Sequence, residues 1–462
     1  MRQPPSRRLL PAVLALALGA LLLPGCNGRG GSGLWARDLD PVVLTGADLA
    51  ALVGVSPGAI VGFRWNSEQR RWEQVPVQVD QRHVEHLSKL RNGSGSSGPT
   101  TLAYSDPGAN AGADPVATFD EDDELAFMAA DTGGYAPTSI ANPAGVVEGS
   151  GLLVTVTDPL ATWDSVRGSG VGHLYLFQRS GTALDPGAER DYVDYDFQPG
   201  DPMGHTEDST VSSDRYETHF SARWTRDEIA IGAGPDILDR HRNLFAVGVC
   251  TRSEDTFSAG DGGYATNVDG PVRVIRSYLG ANSGTYTQRE HVFYRGTERV
   301  QTFLRVHAIP GILDFYDHSP AAVGMTYASS STPGGVPIDG APDTAGSAAP
   351  TWEAVTGSQG ALVSSTTLST DISGLAIGSY YRDDDTNPPV QCTGDADEYG
   401  ASGTAISGGI PNTDPTLTAP STFVGTRWNV YVPASEPAEV ALHVANLGTP
   451  LTTDVTAWAP VP

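Results

Sequence analysis

Between positions 273 and 307 the chain carries Arg273, Arg276, Gln288, Arg289, Glu290, His291, Gln301, Arg305 and His307. Histidine there could move a proton, and arginine could neutralise a carboxylate or an enolate-like intermediate. Arg276, Glu290, His291, Arg305 and His307 are therefore the candidate catalytic residues. The competing reading is a set of cross-strand pairs on a solvated sheet face. Asp120-Glu121-Asp122-Asp123-Glu124 is the second group. Five adjacent carboxylates repel unless they are solvated or bridged by a cation, and Ca²⁺ accepts about six to eight such oxygens. Asp120, Asp122 and Asp123 are the calcium candidates, although the spacing is not that of an EF-hand. Asp383-Asp384-Asp385, with Asp395, Asp397 and Glu398 around Cys392, makes a similar group. The sequence holds no G-x-S-x-G, P-loop or C-x-x-C. His83-Val84-Glu85-His86 lacks the four-residue histidine spacing of a helical zinc site.

The elements that must position these residues read as strands. Val272–Leu279, Tyr286–Tyr294 and Val300–Ala308 alternate and are joined by glycine-containing turns, which predicts an antiparallel meander over 272–308. On its last strand Gln301, Arg305 and His307 share one face, and Leu304 and Val306 the other. Glu290 shares a face with Gln288, and His291 with Arg289. Ile60–Trp65 and Trp72–Val79 flank a polar turn and predict a hairpin, with Val75, Val77 and Val79 on one side. Thr45–Val53 predicts one short helix, with Thr45 as N-cap. Residues 329–350, rich in Gly, Pro, Ala and Ser, read as a loop insertion. Trp65, Trp72, Trp163, Trp224 and Trp352 are either sugar-stacking platforms or core. The expected fold is all-β: an antiparallel sandwich or supersandwich with long acidic loops and that one N-terminal helix.

The N-terminus supplies an address. Arg2, Arg7 and Arg8 precede an apolar run from Leu9 to Leu23, too short for a membrane span of about 20 residues. Leu23-Pro24-Gly25-Cys26 follows and resembles the lipobox of bacterial lipoproteins. That resemblance implies removal of residues 1–25 as a signal peptide and diacylation of Cys26. It also implies an acyl anchor in a bilayer. With Asn27 after the cysteine, it favours the outer membrane of a Gram-negative envelope. The expected organisation is a tether over 26–38, an N-terminal β-domain over 39–150 and a larger β-sandwich domain over 151–462. With Cys26 acylated, Cys250 and Cys392 remain as a disulfide pair in an oxidising compartment, or as two free thiols. The formal net charge is −26, and Lys89 is the only lysine. Such a surface repels nucleic acid. It suits either a saline exterior or cation binding.

Val75-Pro76-Val77-Gln78-Val79-Asp80, Asp122-Asp123-Glu124-Leu125-Ala126-Phe127 and Asp269-Gly270-Pro271-Val272-Arg273 resemble segments of secreted bacterial proteins that carry a galactose-mutarotase-like supersandwich. The resemblance implies a large two-sheet fold of carbohydrate-related ancestry and transfers no catalytic residue. Three functional readings follow. The first is an envelope lipoprotein that binds an extracellular ligand, such as a glycan, without catalysis. The second is a lyase or epimerase with its groove over the meander. The third is a structural surface protein with Ca²⁺-stabilised loops. The sequence leaves the oligomeric state open.

Overall fold

The computed structural model describes residues 33–162, 169–245, 252–385 and 397–460. Cys26, Cys250, Cys392, Trp163 and Asp395 lie outside them. Every strand pair of the named sheets is antiparallel, as the alternating apolar residues and short glycine turns dictate. The expected all-β class is what forms, in four layers.

The outermost layer is a five-stranded sheet in the order 452–457, 152–157, 171–178, 60–66 and 71–75. Strands on both sides of residue 150 therefore share one sheet, and the C-terminal strand closes its edge. A three-stranded sheet of Pro41–Thr45, Glu124–Met128 and Gln78–Asp80 lies beneath. Leu125 and Phe127 point outward to meet Val154 and Leu176 of the first sheet. Their neighbours Ala126 and Met128 point inward, onto Ile275 and Val292. Those two belong to the third layer, a nine-stranded sheet ordered 263–268, 274–279, 288–293, 297–303, 423–432, 360–370, 353–357, 326–329 and 332–337. Two four-stranded sheets cover its other face. Val274, Phe293, Leu362 and Tyr431 of the large sheet pack there against Phe220, Ile229, Leu238 and Tyr316.

Three local expectations come out differently. Thr45 ends a strand instead of capping a helix. Its backbone N–H and its hydroxyl both donate to Asp48 (2.8 Å each), a local turn that competes with helix formation, and only a 3-10 turn at Ala50–Leu52 follows. The α-helices of the described residues are instead Leu87–Asn92, Glu254–Ser258 and Val440–Gly448. The hairpin forms with Trp65 opposite Trp72, but its second strand stops at Val75. Pro76 has no N–H to give the ladder, so the chain leaves this sheet there and pairs Gln78–Asp80 with the next one. In the 329–350 insertion, Thr332–Pro337 is an edge strand paired with Thr326–Ser329, and Ile338 is core. Of the tryptophans, Trp224 is buried, its Nε1 donating to Gly280 O (2.7 Å), while Trp65 and Trp72 join an edge-to-face cluster with Trp458 and Tyr175.

Candidate functional site

The meander forms from Val274–Leu279, Gln288–Phe293 and Thr297–Phe303, its third strand ending at Phe303 where Val300–Ala308 was expected, and both of its faces are covered. Alternation on a middle-layer sheet therefore sends neighbouring residues into two separate interiors. Arg276 and His291 pair across strands and point into the sandwich. His291, at 0% exposure, has Nδ1 2.8 Å from Glu298 Oε1 and Nε2 3.1 Å from the Tyr278 hydroxyl. Glu298 also accepts from Arg226 Nη1 (2.8 Å), Asn429 Nδ2 (2.8 Å) and the Tyr431 hydroxyl (2.6 Å). Burial pushes His291 down to about 3, with Glu298 opposing. For Glu298 burial acts upward, but Arg226 and His291 outweigh it and hold the carboxyl well below its ordinary range. Arg276 is paired with Glu207 (2.6 Å) and lies 4.1 Å over the Phe220 ring.

The other three candidates lie elsewhere. Glu290 points to the opposite face, toward the three-stranded sheet, where it is paired with Arg299 (3.3 Å). Its burial raises its pKa. Arg305 donates to Tyr286 O and Gln288 Oε1 (3.0 Å each). His307 falls beyond the end of its strand, exposed and in contact with Arg252. The structure thus brings Arg276 and His291 onto one face, and brings neither to Glu290, Arg305 or His307. Sequence reasoning missed Glu298, Arg226, Asn429 and Tyr431. The signal for them was weak, because Glu298 lies before the expected strand start at Val300 and enters the sheet only in the structure. Asp314 sits within the strand Ile309–His318 and meets His241 and Arg289 at 2.8 Å each.

The acidic turn gathers three of its five carboxylates. Carboxylate oxygens of Asp120, Asp122 and Asp123 approach within 4.8 Å of one another. Asp123 is already held by the backbone N–H groups of Arg82 (2.7 Å) and Asp120 (3.0 Å). Burial and the neighbouring Asp120 push the Asp122 carboxyl up to about 6. Glu124 departs from this group onto its strand, accepting from Arg82 (2.6 Å) and Arg273 (2.8 Å). In the second group Asp383 gathers with Asp339 and Asp343, whereas Asp384 pairs with Arg382 (3.0 Å). These carboxylates are the groups that could hold a cation.

A cavity of about 750 Å³ opens where two of the sequence strings meet, between Val77–Asp80 and Val268–Pro271. Its floor is a polar node. Gln78 Oε1 accepts from the N–H groups of Val272 (3.0 Å) and Arg273 (2.9 Å), and its Nε2 donates to Arg273 O (3.0 Å) and Asp80 Oδ1 (2.8 Å). Arg273 in turn donates to Asp80 (2.7 Å) and Glu124 (2.8 Å). Gly270 is needed there, because a Cβ would stand 2.5 Å from the Gln78 amide. The rim carries Asp185, Glu189, Asp191 and Asp269, with Arg179 and Arg190. Burial, then the charges of Asp191 and Asp194, push Asp269 up to about 6. On the same rim loop Ala188 and Glu189 are left-handed in succession (φ 50° and 57°), a costly conformation for side-chain-bearing residues. An open cleft lined by carboxylates offers hydrogen-bond acceptors to a polyhydroxylated or basic ligand.

No family model matches the chain, and no curated protein matches it. Among solved structures, one from Escherichia coli K12, provisionally assigned as an aldose 1-epimerase, is similar over 52% of this chain and 99% of that one. The identity is 10% and the TM-score 0.25, a distant likeness that carries no argument about ligand or chemistry.

Proposed function

We propose that this chain is an envelope lipoprotein, acylated at Cys26 and anchored to the outer membrane, whose β body binds an extracellular glycan without converting it. The anchor rests on the lipobox sequence alone. Among the described residues no helix is long and apolar enough to cross a membrane. The observation that carries the binding reading is the open groove, with Asp185, Glu189, Asp191 and Asp269 on its rim over the rigid Gln78–Arg273 node. Carboxylates in such a cleft accept hydrogen bonds from vicinal hydroxyls. The lyase or epimerase reading is the weaker one, because His291 has no exposed surface and Glu290 faces the other interior.

A glycan array probed with the lipid-free chain tests the binding reading. A defined set of glycans should be retained by the parent and lost by the double variant Asp191→Asn/Asp269→Asn with an unchanged melt. Retention equal in both, or no retained glycan, would reject the groove as the site. Labelling with a radioactive fatty acid that survives Cys26→Ser would reject the anchor.

A further inference from the structure

A second cavity lies away from that groove, where the C-terminal helix Val440–Gly448 crosses the edge of the three-stranded sheet and the outer face of the large one. It encloses about 250 Å³. At roughly 30 Å³ per water-sized unit, that is space for on the order of eight to ten non-hydrogen atoms. Trp428, Val430, Leu447 and Leu451 supply most of the wall, an apolar body for a ligand. Two polar side chains break it. Asp40 gives one carboxylate oxygen to Arg37 Nη1 (2.9 Å), and no hydrogen bond engages the other. His443 is 2% exposed, and its Nε2 makes no hydrogen bond, since Glu439 Oε2 is 3.8 Å away. Of the other polar liners, Asn446 Nδ2 donates to Ala36 O (2.8 Å) and the Thr297 hydroxyl to Leu39 O (3.5 Å). A buried imidazole nitrogen without a hydrogen bond is costly, so its place at an apolar cavity calls for an occupant.

We propose that this cavity is a second ligand site, for a small apolar molecule bearing one hydrogen-bond donor, a hydroxyl or an ammonium, that is received by Asp40 and His443. The unengaged Asp40 oxygen is an acceptor, which selects against a carboxylate head and for a donor, and His443 Nε2 accepts in the tautomer that carries its proton on Nδ1. The indole of Trp428 suits a ring or a compact alkyl group, and it would stack an ammonium-bearing one. The site needs nothing from the glycan reading and is separable from it.

The test uses the full chain with benzyl alcohol, benzylamine, toluene and benzoate as probes, followed by ligand-observed NMR and by the heat of binding. Benzyl alcohol or benzylamine should bind saturably, with toluene about tenfold weaker for want of the one hydrogen bond and benzoate weaker still. Leu447→Trp should fill the cavity and abolish binding. If that variant melts early, Asp40→Asn supplies the independent check, weakening benzylamine at least fivefold relative to benzyl alcohol. Preference for the alcohol over the amine assigns a hydroxyl ligand, and the reverse an ammonium. The proposal is overturned if no probe saturates, if toluene binds as well as the donors, or if binding survives in both variants.

Discussion

The inner face of the nine-stranded sheet and the open groove are built from the same residue types and behave oppositely. Inside the sandwich several carboxylates meet a cation: Glu298 with Arg226, Glu207 with Arg276, Asp314 with Arg289 and Arg427. On the groove rim Asp269 instead faces Asp191 and Asp194, and its carboxyl is pushed up where that of Glu298 is pulled down. Paired buried charge fixes one arrangement of the strands, because any other leaves an ion without its partner. Like charges at an opening do the reverse. They cost stability, and they persist where a donor-rich ligand or a cation can relieve them. The difference separates scaffold from site more sharply than residue identity does.

The largest effect should come from breaking the interior. Glu298→Gln keeps the shape but leaves Arg226 as an uncompensated buried charge, and the expected loss is about 3–5 kcal/mol in denaturant unfolding. A loss under about 1 kcal/mol would mean the network is ornamental. Next is the groove floor. Gly270→Ala drives a methyl into the Gln78 amide and should cost about 1–3 kcal/mol, with glycan retention falling alongside. Unchanged retention in a destabilised variant would separate floor from function. Third, Ca²⁺ should raise the melting temperature by about 2 °C through the Asp120–Asp122–Asp123 turn, and Asp122→Asn should erase the rise. An unchanged melt with metal and with chelator marks that turn as solvated.

The smallest effect is a difference of slope with pH. Asp269 has a folded pKa of about 6 against an ordinary 3.8, so its contribution is present below pH 4 and is lost as pH rises through 6. Glu124, held at about 2 against 4.5, stabilises above pH 4.5 and loses that contribution as pH falls toward 2. Asp269→Asn should therefore flatten the decline in stability between pH 4 and 6, and Glu124→Gln should flatten the rise between pH 2 and 4.5. Parallel shifts in both variants would dissolve the contrast between paired and crowded carboxylates.

Much of the scaffold can be read in the residues themselves. Val272–Leu279, Tyr286–Tyr294 and Val300–Ala308 announce a meander because short glycine turns permit only antiparallel neighbours, and the pairing forms, with the third strand at Thr297–Phe303. The strings Val75–Asp80, Asp122–Phe127 and Asp269–Arg273 were also visible as strings. Their meeting through Gln78, Arg273 and Glu124 was not, since those contacts span about 150 to 195 residues of chain. The candidate catalytic residues do not converge, for a definite reason. Period-two alternation tells an inside from an outside only when one face is wet. Here Glu290 and His291 both point into protein, on opposite sides of one strand, so neither could be assigned to a groove from its position in the sequence.

The sequence by itself determined the all-β class, the hairpin and meander, the acidic surface and an N-terminus that resembles a lipoprotein leader, because each depends on residues close together in the chain. Only the tertiary structure decided which arginines are buried counter-ions, which carboxylates gather on a groove rim, and that a glycine–proline-rich insertion contains an edge strand. Those outcomes depend on how four layers stack. Stacking sets the solvent exposure of every charge, and exposure decides whether a charge holds the fold together or waits for a ligand.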